Sequence, residues 1–329
     1  MENLDQQVLH QLRDWLSGGL PVWLCTIVET RGASPRPVGA LLACNGEGEL
    51  VGSLSGGCIE DDLLERLVAR ELAADVPELY HYGLSAEENA RLGLPCGGQL
   101  TVLIEPLHRA GAAAGQQAPA AHARVEQLTW LLTLLEQRRC VRREVDLDSG
   151  AWQLSEIDEV EPLLVTDARV RQDFGPRYTL LLIGAGALAQ AVAELALRMD
   201  YRVLVNDPRP EWLARWPVAG VQCVAGMPDD AVRRYAADER SIVITLTHDP
   251  RIDDMALMEA LTTRAFYVGA LGSQRTSAKR VQRLRQLDLS DAQLARLHAP
   301  VGLAIGSKTP MEIAVAILAE LTQLRRTVR

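Results

Sequence analysis

The sequence has little that points to nucleic acid or to a membrane. It carries 34 Lys and Arg against 43 Asp and Glu, a formal net charge of −9. An acidic balance argues against non-specific binding of nucleic acid and against an anionic membrane surface. The most apolar stretch, which begins at Leu180, is interrupted by Gln190 and Glu194 and is too broken for a membrane span. The acidic, polar first ten residues do not resemble a secretory signal. We therefore expect a cytoplasmic protein.

Paired cysteines are also lacking. None of the six cysteines shows the C-x-x-C spacing of a zinc or redox site, and a chain of 329 residues is too large to need disulfides. Cys25 and Cys44 fall in predicted strands and are expected to pack as small hydrophobic residues. Cys58 and Cys96 differ because glycines flank both, in SGGC and LPCGG. The histidines are scattered, and only His248 stands at a predicted strand end.

Length and pattern predict two α/β domains. The first, residues 1–170, is expected to be a mixed α+β domain with a flexible insertion at about 109–121, where small residues dominate. The second, residues 176–329, alternates apolar strands with helices, which predicts a doubly wound parallel sheet. Helices are expected at 4–17, 59–68 and 122–138. Strands are expected at 22–30, 39–45, 50–54, 179–186, 202–208, 221–226, 241–249, 265–273 and 301–307, and a glycine loop that leads into a further strand is expected at about 94–105.

The clearest motif follows the first strand of the second domain. Gly184 and Gly186 belong to a G-x-G-x-x-A sequence between an apolar strand and a helix, the Rossmann-like fingerprint that lets backbone approach a pyrophosphate. Asp207 ends the next strand, where an acidic residue would bind a ribose hydroxyl. Because a fold can be kept while its ligand changes, NAD(P) is possible but not favoured.

Further predicted strand ends carry cations, hydroxyls and backbone N–H groups at helix starts. Ligands of open parallel sheets bind beyond the carboxyl ends of the strands, so these loops predict a site for an anionic, phosphate-bearing ligand. The alternative is that Ser273 and Thr309 only cap helices. The candidate residues are His248, Gly272, Ser273, Arg275, Lys308 and Thr309.

Cys58 stands at the start of a predicted helix, where a thiolate is stabilised although acidic neighbours oppose the effect. Arg31 and Arg36, on the preceding proline-rich turn, are the candidate countercharges. Gly56 and Gly57 would let a bulky ligand approach the backbone. If Cys96 faced the same cleft, two thiols would suit a soft metal such as molybdenum, copper or zinc. The alternative is that Cys58 is an inert cysteine at a helix start.

Long blocks of the chain resemble the XdhC/CoxI family of xanthine dehydrogenase accessory proteins. In the first half they are GASPRPVGALL (32–42), GSLSGGCIE (52–60) and LPCGGQL (94–100). In the second half they are LLIGAGALAQ, THDPRID, YVGALGSQRTSAKR and HAPVGLAIGSKTPMEIAVAILAE (298–320). The resemblance covers nearly the whole chain.

The resemblance implies a chaperone for the molybdenum cofactor (molybdopterin), not an enzyme. Such a protein protects the cofactor, supports its sulfuration by a cysteine desulfurase-like sulfurtransferase, and inserts it into xanthine dehydrogenase or a related molybdenum hydroxylase. It also implies that Cys58 contacts molybdenum, with Cys96 as a second candidate, and that the strand ends of the second domain hold the cofactor's phosphate.

Two other functions stay open from the sequence. One is an NAD-dependent oxidoreductase, with the nicotinamide over the Gly184 loop and Cys58 or His248 nearby. The other is a sulfur-relay protein that uses Cys58 and Cys96 as an exchanging pair. We expect a homodimer, because symmetric dimers are the commonest assembly.

Overall fold

A computed structural model describes residues 3–32, 34–84, 98–107 and 117–327. Cys96 and residues 109–116 of the predicted insertion lie outside the described residues, and at Cys58 only the backbone is described. The chain divides into two compact units, one ending at Pro176 and the other beginning at Arg177. Among the described residues, no helix combines the length and hydropathy that crossing a bilayer requires.

A five-stranded antiparallel sheet organises the first unit. Its elements are α1 (Asn3–Ser17), β1 (Val22–Arg31), β2 (Leu41–Asn45), β3 (Leu50–Gly52), α2 (Cys58–Val68), β4 (Glu78–Tyr82), β5 (Gln99–Pro106) and α3 (Gln117–Glu136). The strand order is β3-β2-β1-β5-β4. One face of this sheet packs against α1 and α3, and the other face packs against α2. Helix α3 begins five residues before the predicted start at 122.

A second antiparallel sheet completes this unit. It contains β6 (Cys140–Asp146), β7 (Trp152–Ile157), β8 (Leu164–Val165) and β9 (Arg169–Phe174), in the order β7-β6-β9-β8.

A buried ion pair joins the two sheets. Arg143 of β6 is fully buried, and its guanidinium donates to Glu105 of β5 at 3.0 and 3.3 Å and to Gln172 of β9 at 2.9 Å. The indole Nε1 of Trp152 donates to the same Glu105 carboxylate at 2.6 Å. The sheets are therefore connected by a charged network as well as by apolar packing.

The second unit contains a six-stranded parallel sheet in the order β12-β11-β10-β13-β14-β15. Its elements are β10 (Thr179–Ile183), α4 (Ala187–Arg198), β11 (Arg202–Asp207), α5 (Pro210–Leu213), β12 (Gln222–Ala225), α6 (Pro228–Tyr235), β13 (Ser241–Thr245), α7 (Pro250–Thr262), β14 (Tyr267–Ala270), α8 (Gln274–Gln286), α9 (Asp291–Leu294), β15 (Leu297–His298) and α10 (Pro310–Thr327). Helices α4 and α10 cover one face, and α6, α7 and α8 cover the other. The predicted fold class is confirmed.

The strand predicted at 301–307 is wrong, because this segment forms a loop between β15 and α10. The Gly302 amide donates to the Glu320 carboxylate at 2.7 Å, and the Leu303 amide donates to the Ala316 carbonyl at 3.1 Å. The apolar run thus packs on α10 instead of extending the sheet. A Cβ at Gly302 would lie 3.1 Å from the amide nitrogen of Ile317, so this close approach needs glycine.

Candidate functional site

The loop before Cys58 is organised around the carboxylate of Glu60. Cys58 is the first residue of α2, and Glu60 reaches back from the first turn of that helix. The carboxylate accepts from the amides of Leu54 (2.8 Å), Ser55 (2.8 Å), Gly56 (3.0 Å) and Gly57 (3.0 Å), and from the hydroxyls of Ser53 (2.9 Å) and Ser55. The chain entering α2 is therefore held in one conformation by a single side chain.

These hydrogen bonds keep Glu60 charged. Burial acts to raise the pKa of this carboxyl, but the hydroxyl of Ser55 and the loop amides outweigh burial and lower the pKa to about 2. The amides of the loop that precedes α2 are thus already bonded to an anion of the protein.

Gly56 and Gly57 have backbone φ values of +91° and +152°, which L side chains rarely adopt. A Cβ at either position would have no atom within 4 Å, so both glycines border open space. Arg36 contacts Asp5 of α1, with its Nη2 3.2 Å from the Asp5 Oδ1 atom and both side chains largely buried. The approach of a ligand over the glycines, and the countercharge role of Arg36, stay predictions.

In the second unit, the glycine loop after β10 adopts the predicted turn. Gly184 has a φ of +105°, and a Cβ there would lie 2.8 Å from the Cγ2 atom of Thr247. Gly186 caps α4, and a Cβ there would have no atom within 4 Å. The first glycine is therefore needed for the turn, and the second leaves room at the helix start.

Asp207, the predicted ribose acceptor, is fully buried at the end of β11. Its carboxylate accepts from the amides of Ala185 and Arg209, both at 3.0 Å, and from two nitrogens of the Arg209 guanidinium, both at 2.8 Å. Burial acts to raise its pKa, but these hydrogen bonds lower it on balance. A ribose hydroxyl would have to displace Arg209 to reach this carboxylate. The feature of the sequence that could have indicated this ion pair is Arg209, which stands two residues after Asp207 at the end of the strand.

The other predicted residues of the second unit lie at its strand ends, in the loops after β13, β14 and β15. The exposed His248 follows β13, and Gly272 precedes α8. Ser273 caps α8 by accepting from the Thr276 amide at 3.2 Å. Arg275 is exposed and makes no ion pair with any described residue.

The start of α10 holds the last two candidates. The amides of Lys308 and Thr309 both donate to the Glu312 carboxylate, at 2.8 and 3.0 Å, and the Thr309 hydroxyl accepts from the Glu312 amide at 3.3 Å. These amides are therefore bonded within the loop, as the capping interpretation expects. The Lys308 side chain is exposed and unpaired within the described ranges, which leaves its charge as the group that an anion would meet.

Sequence reasoning missed a buried pair beneath two of these loops. Asp253 of α7 accepts from the Thr247 hydroxyl at 2.7 Å and from the Arg280 guanidinium at 2.9 Å. Arg280 of α8 also donates to the Leu271 carbonyl at 3.0 Å, and both charged side chains are buried. The pair therefore ties the loop after β13 to the loop after β14.

Changing Asp253 to Asn is expected to loosen both loops. The lost charge weakens the bond to Arg280, at an expected cost of about 1–2 kcal/mol. Protection against hydrogen exchange at the amides of Leu246 and Leu271 should fall by about 5–30-fold. The control Asp230→Asn alters an exposed ion pair and should change protection at these amides by less than about twofold. Unchanged protection in Asp253→Asn would show that the pair does not position the loops.

Two family models match the chain, one in each unit. The XdhC and CoxI family matches residues 15–83, and the XdhC Rossmann domain matches residues 180–321. The chain belongs to the XdhC and CoxI family. The first match contains the Glu60 loop and Cys58, and the second contains the glycine loop, Asp207 and the loops up to α10. The family resemblance and the Rossmann-like second unit are thus confirmed.

Relatives and a solved structure match nearly the whole chain. The molybdenum cofactor insertion chaperone PaoD of Escherichia coli K12 is 27% identical, over 94% of this chain and 85% of that protein. A Bacillus subtilis 168 protein named as a probable xanthine dehydrogenase subunit is 25% identical, over 93% of each chain. A crystal structure of a Bacillus halodurans protein described as a xanthine dehydrogenase superposes with a TM-score of 0.74 at 25% identity, covering 99% of this chain and 96% of that one.

Proposed function

We propose that this protein is a carrier of the molybdenum cofactor that protects it, supports its sulfuration and inserts it into xanthine dehydrogenase or a related molybdenum hydroxylase. The match to a named cofactor insertion chaperone over 94% of this chain carries the proposal. The Bacillus subtilis relative, named for xanthine dehydrogenase, supports the choice of recipient enzyme. The cofactor is cargo here: a homodimer in the cytoplasm would hold it while a cysteine desulfurase-like sulfurtransferase sulfurates it, and would then pass it on.

The residues suit such a cargo. Cys58 supplies a soft thiol for molybdenum at the start of α2, where Glu60 fixes the preceding chain and the glycines border open space. Arg275 and Lys308 supply exposed cations for the phosphate at the strand ends of the second unit. One or two thiolates hold a cargo without enclosing its metal, which keeps release possible.

The oxidoreductase alternative is less well supported. It requires a dinucleotide over the Gly184 loop with its ribose on Asp207. That carboxylate is buried and bonded to Arg209, which disfavours this mode of binding. A carrier that does not bind its cargo through Asp207 does not need this carboxylate to be accessible.

The test is an equilibrium titration of the full chain with molybdopterin cofactor, and separately with NAD. We expect wild type to bind the cofactor and Cys58→Ser to bind it at least about tenfold more weakly, because a hard hydroxyl replaces a soft ligand. The matched control is Cys223→Ser, which changes an exposed cysteine of β12. It should bind the cofactor as wild type does.

Two results would contradict the proposal in different ways. Equal cofactor affinity of Cys58→Ser and wild type would remove Cys58 from the site. Binding of NAD alone, indifferent to Cys58, would replace the carrier with the oxidoreductase.

A further inference from the structure

A cavity of about 320 Å³ lies at one end of the five-stranded sheet of the first unit. Polar side chains of three adjacent strands line it beside a few apolar ones. The lining residues are Glu29 and Arg31 of β1, His81 and Tyr82 of β4, Leu84, and Gln99, Leu100 and Thr101 of β5. A cavity of this size with a few convergent polar groups is a typical setting for a small planar ligand.

The strand register places the polar residues on one face of the sheet. Glu29 and His81 both lie opposite Thr101, and Arg31 lies opposite Gln99. Side chains directly opposite one another, or two residues apart on one strand, share a face. A hydrogen-bond contact of 3.0 Å between the His81 Nδ1 and Thr101 Oγ1 atoms agrees with this arrangement.

A β-bulge creates this polar end. The register of β1 against β5 shifts between Ile27 and Glu29. The first seven residues of β1 are buried, whereas Glu29 is exposed directly after the shift. Bulges redirect side chains and occur often beside functional sites. Here the bulge places a carboxylate at the cavity, directly after seven buried residues of the same strand.

The charged groups at the cavity are available to a ligand. Glu29 pairs with Arg31 at 2.9 Å, but the two side chains are 50% and 71% exposed. An ion pair as exposed as this contributes little stability, so its partners exchange for a ligand at small cost. Leu84, which is exposed, adds apolar surface for a ring.

We propose that this cavity binds the 2-amino-4-oxopyrimidine end of the pterin in the carried cofactor, an inference that rests on the proposed function. The ring presents adjacent N–H groups, which suit the Glu29 carboxylate, and a carbonyl oxygen, which suits donors such as Arg31 and Gln99. Leu84 packs against the ring. Guanine has the same hydrogen-bonding edge, so the probes must separate a pterin from a guanine nucleotide.

The test uses the full chain and two probes, pterin-6-carboxylate followed by its fluorescence and guanosine monophosphate followed by calorimetry. We expect the pterin to bind more tightly than the nucleotide. Glu29→Gln should weaken pterin binding about tenfold, since a hydrogen bond to a charged group is lost. Arg31→Met should weaken it as well. Glu47→Gln, which changes an exposed residue of the turn before β3, should stay within about twofold of wild type.

The outcomes separate this inference from the proposed function. If intact cofactor binds but Glu29→Gln and Arg31→Met leave cofactor and pterin affinity unchanged, the cavity is not the pterin site and the carrier proposal stands. If the guanine nucleotide binds more tightly than the pterin, the assignment of the cavity to the cargo is overturned. If neither intact cofactor nor pterin binds wild type, both proposals fail together.

Discussion

Replacing Glu60 with Gln is expected to release the loop before α2. At neutral pH the loop should lose about 3 kcal/mol of stability, the value that corresponds to lowering a carboxyl pKa from 4.5 to about 2. The amide group of Gln brings hydrogens toward donors that now point at carboxylate oxygens. Hydrogen-exchange protection at Leu54 and Gly57 measures this loss. Cofactor affinity should fall with it, because the loop leads directly into Cys58.

The same carboxylate predicts a pH dependence with a definite sign. The pKa of Glu60 is lower in the folded protein than its ordinary value, so its stabilisation is complete above about pH 4.5 and is lost as the pH falls toward 2. Protection factors of the loop amides, corrected for intrinsic exchange, should therefore decline over this range in wild type. In Glu60→Gln, the protection factors of these amides should not change over the same pH range.

Glu65→Gln is the matched control, since Glu65 is an exposed residue of the same helix. It should change loop protection by less than about 0.5 kcal/mol. If Glu60→Gln behaves like Glu65→Gln, the loop is held by something other than this carboxylate.

Replacing Arg143 with Met is expected to destabilise the first unit by about 3–5 kcal/mol. The substitution leaves Glu105 buried without its cationic partner, and an uncompensated buried charge is costly. Amides of β5 and β6 should lose hydrogen-exchange protection by this amount, while those of β10 keep theirs. Adding Glu105→Gln to Arg143→Met should recover part of the loss, because the unpaired charge is then gone.

Arg264→Met is the control for this substitution, since Arg264 and its partner Glu239 are exposed at the surface of the second unit. Its cost should be no more than about 1 kcal/mol. If Arg143→Met also cost no more than about 1 kcal/mol of stability, the network between the two sheets would not stabilise the first unit more than an exposed ion pair does.

The fold was predictable where periodicity is strong. Apolar runs alternating with helices predicted the parallel sheet, and the paired glycines predicted the turn after β10. The strand at 301–307 was wrong because an apolar run packs equally well on a helix, and its glycines favour a loop. Strand β4 was not predicted, because its sequence ELYHY mixes charged and aromatic residues without an apolar run.

At the candidate site, the sequence shows which residue types stand at the strand and helix ends but not which groups they pair with. Sequence placed Asp207 at a strand end, but it did not show that Arg209 closes over the carboxylate. Sequence treated Glu60 as a negative charge opposing a thiolate, whereas its main contacts are with loop amides. The spacing of residues along the sequence reveals neither the Asp207–Arg209 pair nor the contacts of Glu60, because each depends on the direction in which a side chain folds back.

The closure of Asp207 by Arg209 bears on how the protein selects among cellular metabolites. Pyridine dinucleotides are abundant, and an open strand-end carboxylate would draw them into the crevice of this unit. Here a dinucleotide must first break a bidentate ion pair, whereas a ligand held by other groups meets no such penalty. Arg209 thereby disfavours ligands that would have to bind through the Asp207 carboxylate.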